Sequence, residues 1–121
     1  MPARQDYLLP ASTIFHDRAV LDAIRAMPDY APTNPAYSLE RMNDLEAALR
    51  LAELEHERNQ LSTDSSRRRL IFAHWAFHDC MLGGKRTVVS QYGPNSDNVR
   101  AVGLKRRSEH KRPSRSRRVS S

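Results

Sequence analysis

Two histidines stand at a spacing that could bind a metal. His74 and His78 are four residues apart in a stretch without proline, and Cys80 follows closely. Positions i and i+4 share one face of a helix, as two helical zinc ligands must. A zinc site needs three or four protein ligands, however, and Cys80 falls about 200° from His78 around the helix axis. His16 or His56 would have to complete the set. Since the sequence also has no HExxH or CxxC, we expect no metal or other cofactor, and we place these histidines at the edge of a packed face.

The same stretch could supply a nucleophile, because Cys80 follows His78 and Asp79. Adjacent side chains on a helix diverge by about 100°, so these three groups would not meet. Three closely spaced acids indicate a solvated helix face and not a pair of catalytic carboxylates: Glu53, Glu55 and Glu57. The sequence therefore identifies no reaction, and we expect a protein that is not an enzyme.

Basic residues near the end of the sequence offer a different chemistry. Residues 100–121 hold 9 Lys or Arg and 1 acid, a net charge of +8, whereas residues 1–99 hold 11 basic and 13 acidic residues, a net charge of −2. Such a charge block suits phosphate backbones, and no aromatic residue is present to specify bases. The predicted polyanion-binding residues are Lys105, Arg106, Arg107, Lys111, Arg112, Arg115, Arg117 and Arg118.

We predict from this block a helical interaction module that binds nucleic acid or another polyanion without sequence preference. Two alternatives stay open. The block could serve only solubility or docking, in a structural or assembly subunit that acts through its helices, or it could be an arm for an acidic surface. Among the acidic partners we expect nucleic acid or an acidic protein surface and no membrane.

The composition indicates one small intracellular domain. The chain has 121 residues, of which 39% are hydrophobic, below the roughly 45–50% of globular proteins. Cys80 is the only cysteine, which excludes an intramolecular disulfide and fits a reducing cytoplasm. We find no apolar core of a signal peptide and no run of about eighteen apolar residues that could span a membrane. We therefore expect a cytoplasmic protein.

Prolines divide the first third of the chain. Residues 1–12 include Pro2 and Pro10 and predict a flexible leader. Residues 13–27 predict a short amphipathic helix, opened by a Ser or Thr cap and stopped by the following proline. Its apolar side is formed by Val20, Leu21, Ile24 and Met27. Residues 28–37 contain three prolines and predict a linker.

Two longer runs predict an antiparallel helical hairpin, residues 38–61 and 66–92. The first is rich in strong helix formers and carries an apolar stripe of Met42, Leu45, Leu49 and Ala52. Leu54 and Leu61 widen this stripe. We place an i,i+4 pair of Glu46 and Arg50 on its wet face. The stripe of the second run comprises Leu70, Ala73, Phe77, Met81 and Val88, with Ile71, Trp75 and Leu82 beside it.

Two details of the second run affect its packing. Gly83 and Gly84 are adjacent, and their missing side chains allow a neighbouring segment to approach closely, although a kink there is the alternative. Three arginines in the first turn oppose the helix dipole, so either the regular helix starts later or acids compensate them, and we expect ion pairs across the hairpin with residues 53–57. The alternative is an RNA-binding arginine triplet. These arginines are Arg67, Arg68 and Arg69.

The resulting prediction is an all-α fold: a long hairpin, a short helix packed on it, and an extended segment, residues 94–121, that ends in a disordered basic tail. From residue 105 this segment is low-complexity Arg, Ser and Lys and cannot bury enough apolar surface to offset its ordering entropy. One short helix cannot cover a hairpin helix of about 36 Å, so we also predict self-association into a homo-oligomer.

Residues 77–113 show a further pattern, in which a helix leads into a Tyr-Gly turn, a polar segment, a Gly-Leu-Lys strip and a basic end. The residues that carry it are Phe77, His78, Met81, Leu82, Gly83, Lys85, Val89, Gln91, Tyr92, Gly93, Ser96, Val99, Gly103, Leu104, Lys105, Ser108, Glu109, Lys111, Arg112 and Pro113. This third of the chain resembles the C-terminal signature of a family of small, helical, uncharacterised bacterial proteins. The resemblance implies a helical hairpin and no particular chemistry, and Gly84 departs from the Ala or Val of that family.

Overall fold

The chain is all-helical in the residues that the structure describes. The computed structural model describes residues 7–58 and 64–104. These residues form four α-helices, with a 3-10 helix at Pro35–Tyr37, and no strand. The helices are α1 (Ala11–Arg25), α2 (Leu39–Arg58), α3 (Asp64–Tyr92) and α4 (Asp97–Ala101). The predicted all-α class is confirmed, and no helix in the two described ranges is long and apolar enough to cross a membrane.

Local sequence explains where the helices begin and end. The first helix starts at Ala11, two residues before the predicted start at residue 13, because the Pro10 carbonyl already accepts the amides of Thr13 and Ile14 at 3.0 and 3.3 Å. The hydroxyl of Ser38 accepts the Arg41 amide at 3.1 Å and caps α2. Gly93, with φ at +92°, ends α3 in the left-handed conformation that glycine tolerates best.

The core lies where α1, α2 and α3 meet. The predicted stripe of α3 is buried along its whole length, and so is the predicted apolar side of α1. On α2 the stripe is narrower than predicted: Met42, Leu49 and Ala52 are buried, whereas Leu54 is 50% exposed. Leu61 lies outside the described residues.

The prediction that Glu46 lies on a solvent-exposed face of α2 is wrong. Its side chain is buried, because α1 packs over it. The guanidinium of Arg50 donates to the Glu46 carboxylate at 2.8 Å, and Arg18 of α1 lies 3.7 Å from the same group. The i,i+4 pair therefore forms as predicted, but it faces α1 and compensates a buried charge.

The two adjacent glycines lie inside one continuous helix, α3. A Cβ atom on Gly83 would collide with the ring of Tyr37, which belongs to the 3-10 helix. At Gly84 it would meet the terminal methyl of Met42, with Ile24 behind it at 3.3 Å. The glycines thus make room for close neighbours, as one alternative predicted, and no break occurs.

Contacts between α2 and α3 run along both helices. Near the end of α2, Glu55 lies 3.6 Å from Arg69 in an early turn of α3. Near the start of α2, Met42 packs on Gly84 in the later part of α3. One of the predicted arginine pairs across these helices is therefore present.

The proline-rich linker is fastened to α3. The side chain of Gln91 accepts the Ala31 amide at 2.8 Å and donates to the Asp29 carbonyl at 2.5 Å. Tyr30 donates its hydroxyl to the Tyr37 carbonyl at 2.6 Å. These bonds hold the linker over the later turns of α3.

The prediction that residues 94–121 form an extended segment is wrong for the part that contains α4. Ser96 caps α4 by accepting the Val99 amide at 3.3 Å, and Val99 and Val102 are buried in the core. Two valines in a short polar stretch were enough to dock a helix, because α1 and α3 supply the apolar surface that receives them. The predicted disordered tail from residue 105 lies outside the described residues.

Candidate functional site

The eight predicted polyanion-binding residues, Lys105 to Arg118, lie outside the described residues. The structure does define where their segment is attached. Gly103 follows α4 with φ at +83°, and the Leu104 amide donates to the Val99 carbonyl at 3.1 Å. Leu104 packs against the core. The basic segment therefore leaves from a fixed point on the helical domain.

A pocket lies beside this point, and we call it the α4 pocket. It encloses about 350 Å³ between α1, α3 and the end of α4. Its lining residues are His16, Ala19, Val20, Lys85, Arg100, Ala101, Val102 and Gly103. Three of these are basic residue types, His16, Lys85 and Arg100, and none of the lining residues is acidic. The sequence had not indicated this grouping.

Next to the α4 pocket, a buried carboxylate joins α1 to α3. Asp17 is only 2% exposed, and its Oδ2 lies 2.8 Å from Nδ1 of His78. Burial raises the pKa of Asp17 above its ordinary value, and the His78 hydrogen bond and the charges of His78, Lys85 and His16 oppose this rise. The arrangement orients His78 and ties the two helices together.

Asp17 was not predicted from the sequence, although its position carries a signal. Asp17 stands three residues after Ile14 and four before Leu21, both of which are buried. It therefore occupies a position on the apolar side of α1, where an acid needs a partner. His78, 61 residues further on, could not be identified as that partner from the sequence.

The histidines and Cys80 are not gathered into one metal site. Within residues 7–58 and 64–104, no three His, Cys, Asp or Glu side chains form a group that could hold a metal ion. His74 is buried, His78 bonds to Asp17, and His16 is exposed. Burial lowers the pKa of His74, with Glu53 opposing and Arg18 assisting, so its ring favours the neutral form.

Cys80 makes its hydrogen bond to a different part of the structure from the histidines. Its thiol donates to the Ala36 carbonyl at 3.4 Å, under the 3-10 helix. Burial raises the pKa of the Cys80 thiol, and Arg41 opposes the rise. A buried thiol of this kind is a poor nucleophile at neutral pH, because only the thiolate reacts readily.

No family model matches the chain, and no curated protein and no solved structure matches it either. The resemblance of residues 77–113 to a bacterial family stays a prediction. Function must therefore be inferred from the charges and geometry of the chain itself.

Proposed function

We propose that the protein is a non-enzymatic helical module that binds nucleic acid or another polyanion through residues 105–118. The observation that carries the proposal is the distribution of charge. Residues 105–121 hold 8 Lys or Arg and 1 acid, a net charge of +7, while residues 1–104 hold 12 basic and 13 acidic residues, a net charge of −1. Polyphosphate backbones bind such a cation by releasing their counterions.

The helical part presents this segment. In this proposal α2 and α3 form an antiparallel hairpin, which α1 and α4 complete. Two contacts at opposite ends of the pair support the arrangement: Glu55 with Arg69, and Met42 with Gly84. Because Val99 and Val102 are buried, α4 fixes the root of the basic segment on the domain.

The experiment that tests the function is a truncation after Leu104, which removes all eight basic residues of the segment. We expect the helical signal in circular dichroism and the thermal midpoint to stay nearly unchanged, since every buried side chain of the described residues is retained. Binding to a short fluorescent DNA duplex at low salt should be lost. Equal binding by the truncated and full-length proteins would contradict the proposal.

A second candidate function is assembly through the hairpin, and exposed apolar side chains favour it. Phe72 is 73% exposed and Leu51 is 60% exposed. Arg69 precedes Phe72 by three residues, and Glu55 follows Leu51 by four, so each apolar residue lies one turn from the Arg69–Glu55 ion pair. On an antiparallel hairpin the two side chains would share one face. We propose a second copy of the chain as the partner of that face.

A further inference from the structure

We propose that a pocket between the proline-rich linker and α3 binds a small phosphate monoester that carries a flat apolar group. We call it the linker pocket. It encloses about 380 Å³, and it is lined by residues 31–34, by Tyr37 and by five residues of α3, Gly83, Arg86, Thr87, Ser90 and Gln91. Its volume falls within the usual range for small-ligand sites, about 300–1,000 Å³. The site goes beyond the proposed polyanion binding and uses none of residues 105–118.

The charge of the linker pocket comes from Arg86. Among the described residues that line the pocket, Arg86 is the only charged one. It is exposed, and within residues 7–58 and 64–104 no hydrogen bond or ion pair joins its side chain to another residue. In the pocket between α1 and α2, by contrast, each of three arginines meets a carboxylate: Arg18, Arg25 and Arg50. The guanidinium of Arg86 is therefore open to an anion from solvent.

The acid of the linker is engaged away from this guanidinium. Asp29 is the only acidic residue in residues 28–37. Its carboxylate accepts the Tyr92 hydroxyl at 2.8 Å and does not line the pocket. A direct contact between Asp29 and Arg86 is therefore not what the linker provides.

Neutral donors surround the guanidinium. Ser90 follows Arg86 by four residues, so the two lie on one face of α3. From the linker side, Thr33 adds a hydroxyl, and Asn34 adds an amide nitrogen, because its Oδ1 already accepts the Ala36 amide at 3.0 Å. In the described part of the chain the hydroxyls of Thr33 and Ser90 make no hydrogen bond. The lining thus holds more donors than its own acceptors use.

This set of donors fits a phosphate better than a carboxylate. An arginine fork binds two oxygens of either group at once, which already engages both oxygens of a carboxylate. A phosphate monoester has three terminal oxygens, so one oxygen remains for a hydroxyl or an amide of the lining. Thr33, Asn34 and Ser90 supply such donors.

The ring of Tyr37 supplies a wall for the organic part of the ligand. The ring lies so close over Gly83 that a Cβ atom there would collide with it. Pro32 and Ala31 add apolar surface from the linker. Because aromatic rings attract one another in offset or edge-to-face contacts, a ligand with a flat ring should gain affinity here.

Hydrogen bonds hold the two sides of the pocket in place. The Gln91 side chain accepts the Ala31 amide at 2.8 Å and also donates to the Asp29 carbonyl, which fastens the linker to α3. The Tyr30 hydroxyl donates to the Tyr37 carbonyl at 2.6 Å and fixes the segment that carries the ring. A site arranged in this way loses little entropy when a ligand binds.

The test is a titration of the full-length protein with phenyl phosphate, followed by NMR of the backbone amides. We expect saturable shift changes in residues 31–37 and 83–91. Arg86→Gln should weaken binding about tenfold or more, and Arg86→Lys should also weaken it, because an ammonium cannot replace the fork. Ser90→Ala should weaken binding by about 2–10-fold.

The matched control is Arg68→Gln, which should leave the affinity unchanged. Arg68 is exposed on the same helix, eighteen residues earlier and so about 27 Å away. Equal losses of affinity for Arg86→Gln and Arg68→Gln would contradict the assignment. So would shift changes confined to residues 105–121, since phenyl phosphate would then bind the basic segment. Unchanged circular dichroism of each variant shows that folding is preserved.

Two further probes identify the part of the ligand that is recognised. Inorganic phosphate lacks the ring and benzoate lacks the phosphate, so we expect both to bind more weakly than phenyl phosphate. Benzoate that binds as tightly as phenyl phosphate would overturn the choice of phosphate, and inorganic phosphate that does so would overturn the role of Tyr37. Each of these failures leaves DNA binding by residues 105–118 untouched, because the truncation that tests it keeps the whole linker pocket.

Discussion

Asp17 shows how a single side chain can couple folding to pH. It lies almost fully buried between α1 and α3, and it is hydrogen-bonded to His78. The rings of His78 and Trp75 meet edge to face, with their centroids 5.9 Å apart. The Trp75 indole donates to the Tyr7 carbonyl at 3.0 Å, so the segment before α1 covers this region. Burial raises the pKa of Asp17 in spite of the histidine.

A raised pKa means that the folded protein holds the Asp17 proton more tightly than the unfolded chain does. Between the ordinary value of 3.8 and the raised value, ionisation therefore lowers the free energy of unfolding as the pH rises. Asp17→Asn removes this ionisation and keeps an oxygen that can accept from His78. We expect urea unfolding to show the variant gaining stability relative to the wild type as the pH increases through this window. A difference that stays constant from acid to neutral pH would show that Asp17 does not titrate in this way.

Gly83 and Gly84 differ in what a methyl group would meet. Gly83→Ala places it against the Tyr37 ring, and overpacking of this kind costs about 1–3 kcal/mol. Gly84→Ala meets the flexible end of Met42 and should cost less, because alanine also gains about 1 kcal/mol of helix propensity. Chemical denaturation of both variants measures the difference.

A double-mutant cycle isolates the cause at Gly83. In a Tyr37→Ala background the obstruction is absent, so Gly83→Ala should become stabilising by up to about 1 kcal/mol. If Gly83→Ala costs as much with Tyr37 as without it, the close approach of the ring is not the reason for the glycine.

At the scale of elements, α4 is a short helix whose stability comes from the core that it joins. Val102 is fully buried, so Val102→Ala should lower the free energy of unfolding by about 1–2.5 kcal/mol through lost burial and a cavity. Ala101→Ser is the control, because Ala101 is exposed and surface changes stay within about 0.5 kcal/mol. Thermal and urea unfolding report both values, and equal stability of the two variants would mean that α4 is not docked.

Apolar periodicity predicted the three longer helices because each carries a repeating stripe and is bounded by proline or polar residues. The same rule could not predict α4, because its one large apolar residue, Val99, and the Val102 that follows it depend on a surface built by α1 and α3. Glu46 was misplaced for a similar reason. A helical pattern shows which residues share a face, but the helix that covers the edge of that face is known only from the fold.

The candidate site was predictable only where its residues are consecutive. The charge of residues 105–118 is evident from the sequence, whereas the α4 pocket joins His16, Lys85 and Arg100 from three helices. Nothing in their types or spacing connects them. The pairing of Asp17 with His78 depends in the same way on the packing of α1 against α3.

At the scale of the whole molecule, the exposed side chains of Leu51 and Phe72, which would share one face of the proposed hairpin, predict self-association. Covering such a side chain is worth about 1.5–3 kcal/mol, so two copies that bury both residues gain a substantial driving force. We expect sedimentation to show a dimer or higher oligomer at high protein concentration, and Leu51→Glu with Phe72→Glu to give a monomer. Phe15→Glu is the matched control, since Phe15 is 70% exposed on α1. A wild-type protein that stays strictly monomeric would remove the prediction.

The charge distribution of the chain predicts electrostatic binding by one segment, and the salt dependence of that binding is the most direct test. If about five of the eight cations in residues 105–118 contact phosphates, the log–log slope should be near −4.5 for duplex DNA and near −3.5 for single strands. A full-length variant with those eight residues changed to Gln should lose the slope and the affinity while keeping its helices. Failure of the wild type to bind DNA or RNA at low salt, or a neutralised variant that binds with the same slope, would contradict the account.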